Sequence, residues 1–459
     1  MLLIFLLFAL YPFSCIFSKL QQFFSEPGNA VNLALFRIFY FGIVAGGITA
    51  PLVLSGMEKI DFPWGNMPHD ARVPLPGIGW LIAIIPITPS TVEWALRLLF
   101  LSAFLSMIGL WTRMSMLVYV VMAFYIIGVP NFFGKVNHGH YLVWFPAVLA
   151  FSPCFDALSV DAWLKKRKKG TGDEGRGTIN YSFPIKVIWL LFGIIYFFPG
   201  FWKVWDCGLD WALTDNVRNQ MQLKWIDLNG WLPFFRIDHY PLLYKLAGIY
   251  TIIFELGFVL LLFNKKTRIA AIIGGLLFHG FTFLFMQISF YKLVMCYVFF
   301  IGTRDRGRGT GHATSSSTVV LRPSSLLTII ATILLSANII CGIFKITSFP
   351  FACYPTFAYL VPSETETLSF TTIDSSGKET PLDKSMLQKT FSSERYRAWE
   401  YKLIAAQKEN NKEEINKWGR NFYDFFNIQQ PLNIYMETIP LSPDSVGKPV
   451  KRALIEEVK

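Results

Sequence analysis

A series of apolar segments, each long enough to cross a bilayer and separated by short polar turns, constrains this chain more than any other feature. In hydrocarbon every backbone N–H and C=O must find its partner inside the protein, so such segments fold as helices packed into a bundle. A crossing takes ~20 apolar residues for a core of ~30 Å. Runs of this kind lie at about Ala30–Gly56, Thr91–Leu110, Met114–Val129, Tyr141–Phe155, Phe183–Trp205, Leu242–Phe263 and Leu326–Phe344. The run Ile269–Ile301 is too long for one upright helix, and the polar step Gln287–Ser289 splits it in two. Residues 1–18 are apolar but lack the basic start and small-residue cleavage site of a secretory signal. Residues 1–29 therefore read as an anchor or interfacial segment, and residues 30–345 as an all-α polytopic membrane bundle of about eight to nine transmembrane helices.

The character changes after Lys345. Alternating segments Leu368–Thr372 and Leu432–Ile439 flank a charged helical pattern, Ser392–Phe426, so residues 346–459 are expected to form a small α+β extramembrane domain. A chain with 53% hydrophobic and 16% charged residues is not an ordinary soluble protein. Its net charge of +11 falls largely in short loops at Arg113, Lys165–Lys169, Lys265–Arg268 and Arg304–Arg308, the positive-inside pattern, so no nucleic-acid partner is implied. With those loops cytoplasmic, the loop holding His138 and His140, the Lys203 end of its span and the C-terminal domain are all external. The six cysteines form no CxxC and no ligand spacing, so no metal is expected. Cys207 and Cys353 share the external compartment, as a bridge or as two free thiols.

Ionisable residues inside spans are costly and tend to be functional. Lys203 lies in the stretch Tyr196–Trp211 beside Phe198, Phe201, Trp202 and Trp205. An amine held among rings is poorly solvated as an ammonium, which is one way a lysine becomes a general base. A lysine at a membrane interface, with its stem along the apolar belt and its head in water, fits the same residues. Arg97 has Glu93 one turn away. Counted from the cytoplasmic ends at ~1.5 Å per residue, Arg37 and Glu255 lie at similar depth, roughly 10 to 14 Å, which suggests a buried ion pair. His279 sits mid-span and needs a hydrogen-bond partner, as any core histidine does. Asn137, His138 and His140 stand at a helix start, lining a vestibule or capping a helix.

Five short motifs then occur in a meaningful order: Leu-Phe-Arg-Ile-Phe-Tyr-Phe-Gly from Leu35, Gly-Leu-Trp-Thr-Arg-Met-Ser from Gly109, Asn-His-Gly-His-Tyr-Leu from Asn137, Gly-Phe-Trp-Lys from Gly200, and Phe-His-Gly-Phe-Thr from Phe278. In this order the chain resembles the HTTM domain of the vitamin K-dependent gamma-glutamyl carboxylase family, over about Asn29–Ile301. The resemblance implies a membrane enzyme that oxidises a reduced naphthoquinone with O2 to an epoxide and uses the strong base so made to carboxylate a glutamate with CO2. It implies that Lys203 is the catalytic base, that His138 or His140 is the histidine of the family's Asn-His motif, and that His279 is a second site histidine. The implied partners are the lipid bilayer, the quinone, and a secreted or membrane protein or peptide substrate. Departures include Thr282 where the family has asparagine and a C-terminal domain much smaller than the animal enzyme's. A scaffold that kept the bundle without the chemistry is the alternative, serving assembly, export or interaction.

Overall fold

The computed structural model describes residues 20, 22–24, 28–50, 88–128, 131, 139–169, 179–228, 230–297, 323–353, 355–383, 387, 393–445 and 449–458. Its helices are α1 Ala30–Ile43, which continues through a π-helical turn Val44–Thr49, then α2 Pro89–Ile108, α3 Thr112–Gly128, α4 Tyr141–Ala150 and α5 Val160–Lys169. Next come α6 Ser182–Cys207, α7 Asp210–Leu213, α8 Asn216–Asp227, α9 Pro241–Leu261, α10 Lys265–Met286, α11 Tyr291–Met295 and α12 Ser325–Ile343. Six helices are long and apolar enough to cross a membrane, and α3 and α4 are apolar but shorter. The predicted N-terminal segment 1–18 and the end of the split run, 298–301, lie outside the described residues. The split itself is present: Gln287 caps α10 in the left-handed region, which stops the helix where the sequence turns polar.

Outward faces carry Leu98 and Leu101 on α2, Ile253 and Leu260 on α9, Ile273 and Leu277 on α10, and Ile329 and Ile333 on α12, all exposed. Apolar side chains on the outside of a bundle suit a hydrocarbon surround. Helix α6 is the most buried of the crossing helices and forms the centre of the bundle.

Each end of the bundle has its own composition. At one end, Asp161 of α5 caps α3, accepting from the backbone N–H of Trp111 at 3.0 Å and of Thr112 at 2.8 Å. Tyr181 bonds Asp156 at the same end, and Arg268 stacks over Trp189 at 4.4 Å. Arg113, Lys165, Lys186 and Arg268 therefore gather there. The opposite end gathers the close of α6, the close of α12 and the start of α4: Trp202 Nε1 donates to Gly342 O at 2.8 Å, and Trp144 Nε1 to Pro350 O at 2.8 Å.

Beyond α12 the chain forms a four-stranded antiparallel sheet of order β2-β1-β3-β4, from β1 Glu364–Ile373, β2 Glu379–Pro381, β3 Leu432–Pro440 and β4 Lys451–Val458. The charged helical pattern is two helices, α13 Ser393–Lys408 and α14 Lys412–Phe425, broken where Asn410 turns left-handed and Asn411 caps Glu414 N at 3.2 Å. Phe422 stacks on the ring of Phe370 of β1 at 4.1 Å, and Trp399 packs on Phe422 at 5.2 Å, all three buried.

Candidate functional site

The site forms where α6 and α9 come close. Gly200 and Gly193 lie on one face of α6, and a Cβ on Gly200 would fall 2.7 Å from Glu255 Cβ, one on Gly193 2.8 Å from Val259 Cγ2. Small residues at a helix crossing let the backbones approach, and here they bring Glu255 within reach of Lys203, one turn beyond Gly200. Lys203 Nζ donates to Glu255 Oε1 at 2.9 Å and to Oε2 at 2.8 Å. Both residues are buried, with relative exposures of 2% and 4%. The interfacial reading of Lys203 therefore fails, because its head stays inside the bundle on a carboxylate.

The rings about Lys203 also differ from expectation. Trp202 and Trp205 adjoin it in sequence but point elsewhere, since positions one and two apart on a helix do not share a face. Trp202 reaches Gly342 and Trp205 is 49% exposed. The ring under the ammonium is Trp211, 5.2 Å from Nζ.

The expected Arg37–Glu255 pair is absent as well. Arg37 is fully buried at the far end of the bundle, donating to the carbonyls of Ser106 at 3.1 Å and Leu158 at 2.5 Å. Gly109, at φ 74°, leaves room for the guanidinium, because a Cβ there would lie 2.1 Å from Arg37 Nη1. The count from the helix ends does not carry over: Arg37 belongs to the basic end, whereas Glu255 is held against α6 at Lys203, toward the other end. Arg97 does pair with Glu93, but both side chains are about half exposed, so Arg97 is not a buried arginine.

Lys203 and Glu255 border a cavity of about 100 Å³. Its apolar walls include Phe278, Phe281, Met286, Phe290 and Leu293, and its polar groups include His279, Tyr196, Thr251, Thr282 and Gln220. His279 Nε2 and Tyr297 Oη each lie 2.6 Å from Tyr196 Oη, a buried chain of three groups. His279 Nδ1 has no partner among the described residues. Thr282, where the family has asparagine, bonds back to His279 O at 3.0 Å and also lines the cavity.

The other candidate histidines fall elsewhere. His140 is buried against Trp144 and Phe349, with ring centroids at 5.8 and 4.8 Å, and is not part of the cavity wall. Asn137 and His138 lie outside the described residues. Among the described residues no cluster of His, Cys, Asp and Glu could hold a metal, and the described cysteines, Cys207 and Cys353 included, are free thiols.

One wall was not foreseen. Thr356 and Phe357, beyond α12, close the cavity at the Lys203 end. This strap is stitched to the bundle by four hydrogen bonds. Trp211 Nε1 donates to Phe357 O at 2.6 Å, Gln220 Nε2 to Tyr359 O at 2.9 Å, and Asn219 Nδ2 to Val361 O at 2.8 Å. Asn216 Oδ1 accepts from Val361 N at 2.9 Å. The sequence signal was the amide cluster Asn216, Asn219 and Gln220 on a short helix, too polar for a span and too regular for a loop.

No curated protein and no solved structure matches this chain. The model of the HTTM domain matches residues 25–304, a stretch that holds Lys203, Glu255, Tyr196, His279 and Tyr297 but ends before the strap. This chain belongs to the HTTM domain family.

Proposed function

We propose that this protein is a membrane-embedded enzyme that oxidises a reduced naphthoquinone with O2, with Lys203 and Glu255 acting together as its base. One observation carries the reading: a buried ammonium–carboxylate pair set in the wall of an apolar cavity. Apolar residues of the same volume are often as stable as such a pair, or more so, so packing alone gives little reason to keep it. The apolar lining, with Phe278, Phe281 and Phe290 in it, suits an apolar aromatic ring, and the few polar groups suit the oxygens of that ring. A bound reduced naphthoquinone would supply the electrons that O2 accepts.

The chain's own part is proton handling. Moving one ammonium proton from Lys203 Nζ to Glu255 leaves an amine beside a carboxylic acid, and the pair is neutral overall before and after. A low-dielectric wall therefore resists this shift far less than it would resist a lone amine's change of charge. The freed Nζ lone pair can then take a proton from a ring hydroxyl. Tyr196 and His279 offer a second hydrogen-bonded path away from the cavity, toward Tyr297. Coupling to the carboxylation of a glutamate in a protein or peptide, with CO2, is the second half of the proposal, and the strap end is where such a polymer would arrive.

Purified protein in nanodiscs, given a naphthohydroquinone, O2 and labelled bicarbonate, separates the two halves. Epoxide is read by mass spectrometry and fixed label by counting. Lys203→Met is expected to lower O2-dependent oxidation by at least ~100-fold, the scale of a lost general base. If the unmutated protein converts no quinol, or Lys203→Met converts it at full rate, the enzyme reading gives way to a scaffold that presents its C-terminal sheet.

A further inference from the structure

We propose that Arg113 and Lys165, which meet at the Phe155 ring, hold the phosphate of an anionic phospholipid whose acyl chain lies along α3. The inference is independent of the quinol reading and concerns the basic end of the bundle. Arg113 Cζ lies 4.8 Å and Lys165 Nζ 4.7 Å from the centroid of Phe155, and both side chains are exposed. Among the described residues neither pairs with a carboxylate, nor do Lys166 and Arg167 beside them on α5. Two acids of this end are already engaged: Asp161 accepts from Trp111 and Thr112, and Asp156 accepts from Tyr181 at 3.0 Å. Two cations drawn to one ring without an acid repel each other, and an anion that bridges them reverses the sign. Arginine and lysine are the usual phosphate donors, the guanidinium through a fork of N–H groups and the ammonium as a point charge.

The surroundings favour a lipid over a soluble phosphate. Trp111 is 71% and Met114 65% exposed, and Val118 and Val121 continue the exposed stripe along α3 at three- and four-residue spacing. The turn that presents Trp111 is fixed: its φ of 46° is one that L side chains rarely adopt, and Asp161 holds its backbone N–H at 3.0 Å. A tryptophan at the end of an apolar helix sits at headgroup depth in a bilayer. Helix α5, tied to α3 through Asp161, exposes Trp163 and Leu164 beside its basic residues, the composition of a helix that lies in the interface. A headgroup on Arg113 and Lys165 therefore has an apolar track next to it for its chain, which a soluble anion would leave bare.

The test is native mass spectrometry of the full-length protein in a nonionic detergent, titrated with phosphatidylglycerol, phosphatidylcholine and soluble glycerol phosphate. A cation near an anionic headgroup is worth about fivefold in affinity, so the unmutated protein should bind phosphatidylglycerol at least about tenfold tighter than phosphatidylcholine. Glycerol phosphate at equal concentration should not displace the lipid. Arg113→Gln/Lys165→Gln should bring the ratio of the two lipids near one. If that variant does not fold, Lys165→Gln alone, on an exposed helix position, should cut the ratio about fivefold. Arg113→Lys/Lys165→Arg keeps both charges and should retain the preference, as should Lys378→Gln in the C-terminal sheet domain. A ratio unchanged when the two charges are removed, or lost as fully in Lys378→Gln, overturns the assignment. Equal binding of the two lipids by the unmutated protein also overturns it, and displacement by glycerol phosphate overturns the lipid in favour of a soluble phosphate.

Discussion

Lys203 Nζ sits 2.9 and 2.8 Å from the two carboxylate oxygens of Glu255, with both side chains sealed inside the bundle. Breaking one side of a buried pair leaves an uncompensated charge, at a cost of roughly 3 to 5 kcal/mol. Lys203→Met and Glu255→Gln should therefore each lower the midpoint of thermal unfolding in detergent, and Lys203→Met/Glu255→Met should regain most of the loss. This reverses the expectation for an interfacial lysine, whose removal would leave no partner stranded. Additive losses in the double variant would show that the two side chains do not touch.

Arg37 provides the matching control. It serves the carbonyls of Ser106 and Leu158, not Glu255. Changes at Arg37 and Glu255 should thus add within ~0.5 kcal/mol, as they do for separated sites. Gly109→Ala is expected to act on Arg37: the added methyl meets the guanidinium, and φ 74° is strained for any L side chain, at a cost of ~1–3 kcal/mol. Unfolding midpoints of Gly109→Ala and Arg37→Gln, alone and together, check this. The combined loss should be clearly smaller than the sum.

Much of the scaffold was legible because hydrophobic length and short basic turns fix where helices start and stop. The capping of α10 at Gln287 fell where the polar step suggested, and the helical pattern of the C-terminal part needed only a break at Asn410. Lateral packing was not legible. Counting residues from a span's end did not place Arg37 and Glu255 relative to one another, and which helices adjoin depends on faces and small residues, with Gly193 and Gly200 the overlooked sign that α9 lies on α6. Tyr196 was seen only as the start of an aromatic stretch, and its bonds to His279 and Tyr297 depend on helices far apart in sequence. The strap was out of reach for the same reason, since nothing local to Thr356 and Phe357 indicates a cavity wall.

The loop before α9 carries an acid-sensitive contact outside the spans. Burial alone would raise the Asp238 carboxyl, but the guanidinium of Arg236, at 2.9 and 2.8 Å, and the amide of Gln222 at 3.1 Å hold it below the usual carboxylate range. A carboxyl depressed in the folded state adds stability above its unfolded value of about 3.9, and that stability is lost as pH falls through the lower folded value. Asp238→Asn should be less stable than the unmutated protein at neutral pH, with the gap closing below about pH 4. Unfolding midpoints measured across that range, with a gap that stays constant, would exclude the linkage.

Sidedness follows from the division of charge between the two ends of the bundle. Arg113, Lys165, Lys186 and Arg268 gather at one end, while the Lys203–Glu255 pair, His140 and the close of α12 lie toward the other. Basic residues in short loops are retained on the cytoplasmic side during insertion, so the basic end is expected inside and the strap with its sheet outside. Single cysteines at exposed sites test this against a background lacking the native thiols. Lys166→Cys, on the basic helix α5, should be protected from an impermeant maleimide added to intact cells, and Lys378→Cys, in the turn before β2, should react. The reverse pattern would place the cavity mouth on the cytoplasmic face, where a secreted polypeptide could not reach it, and carboxylation of such a substrate would then be excluded even if quinol oxidation is found.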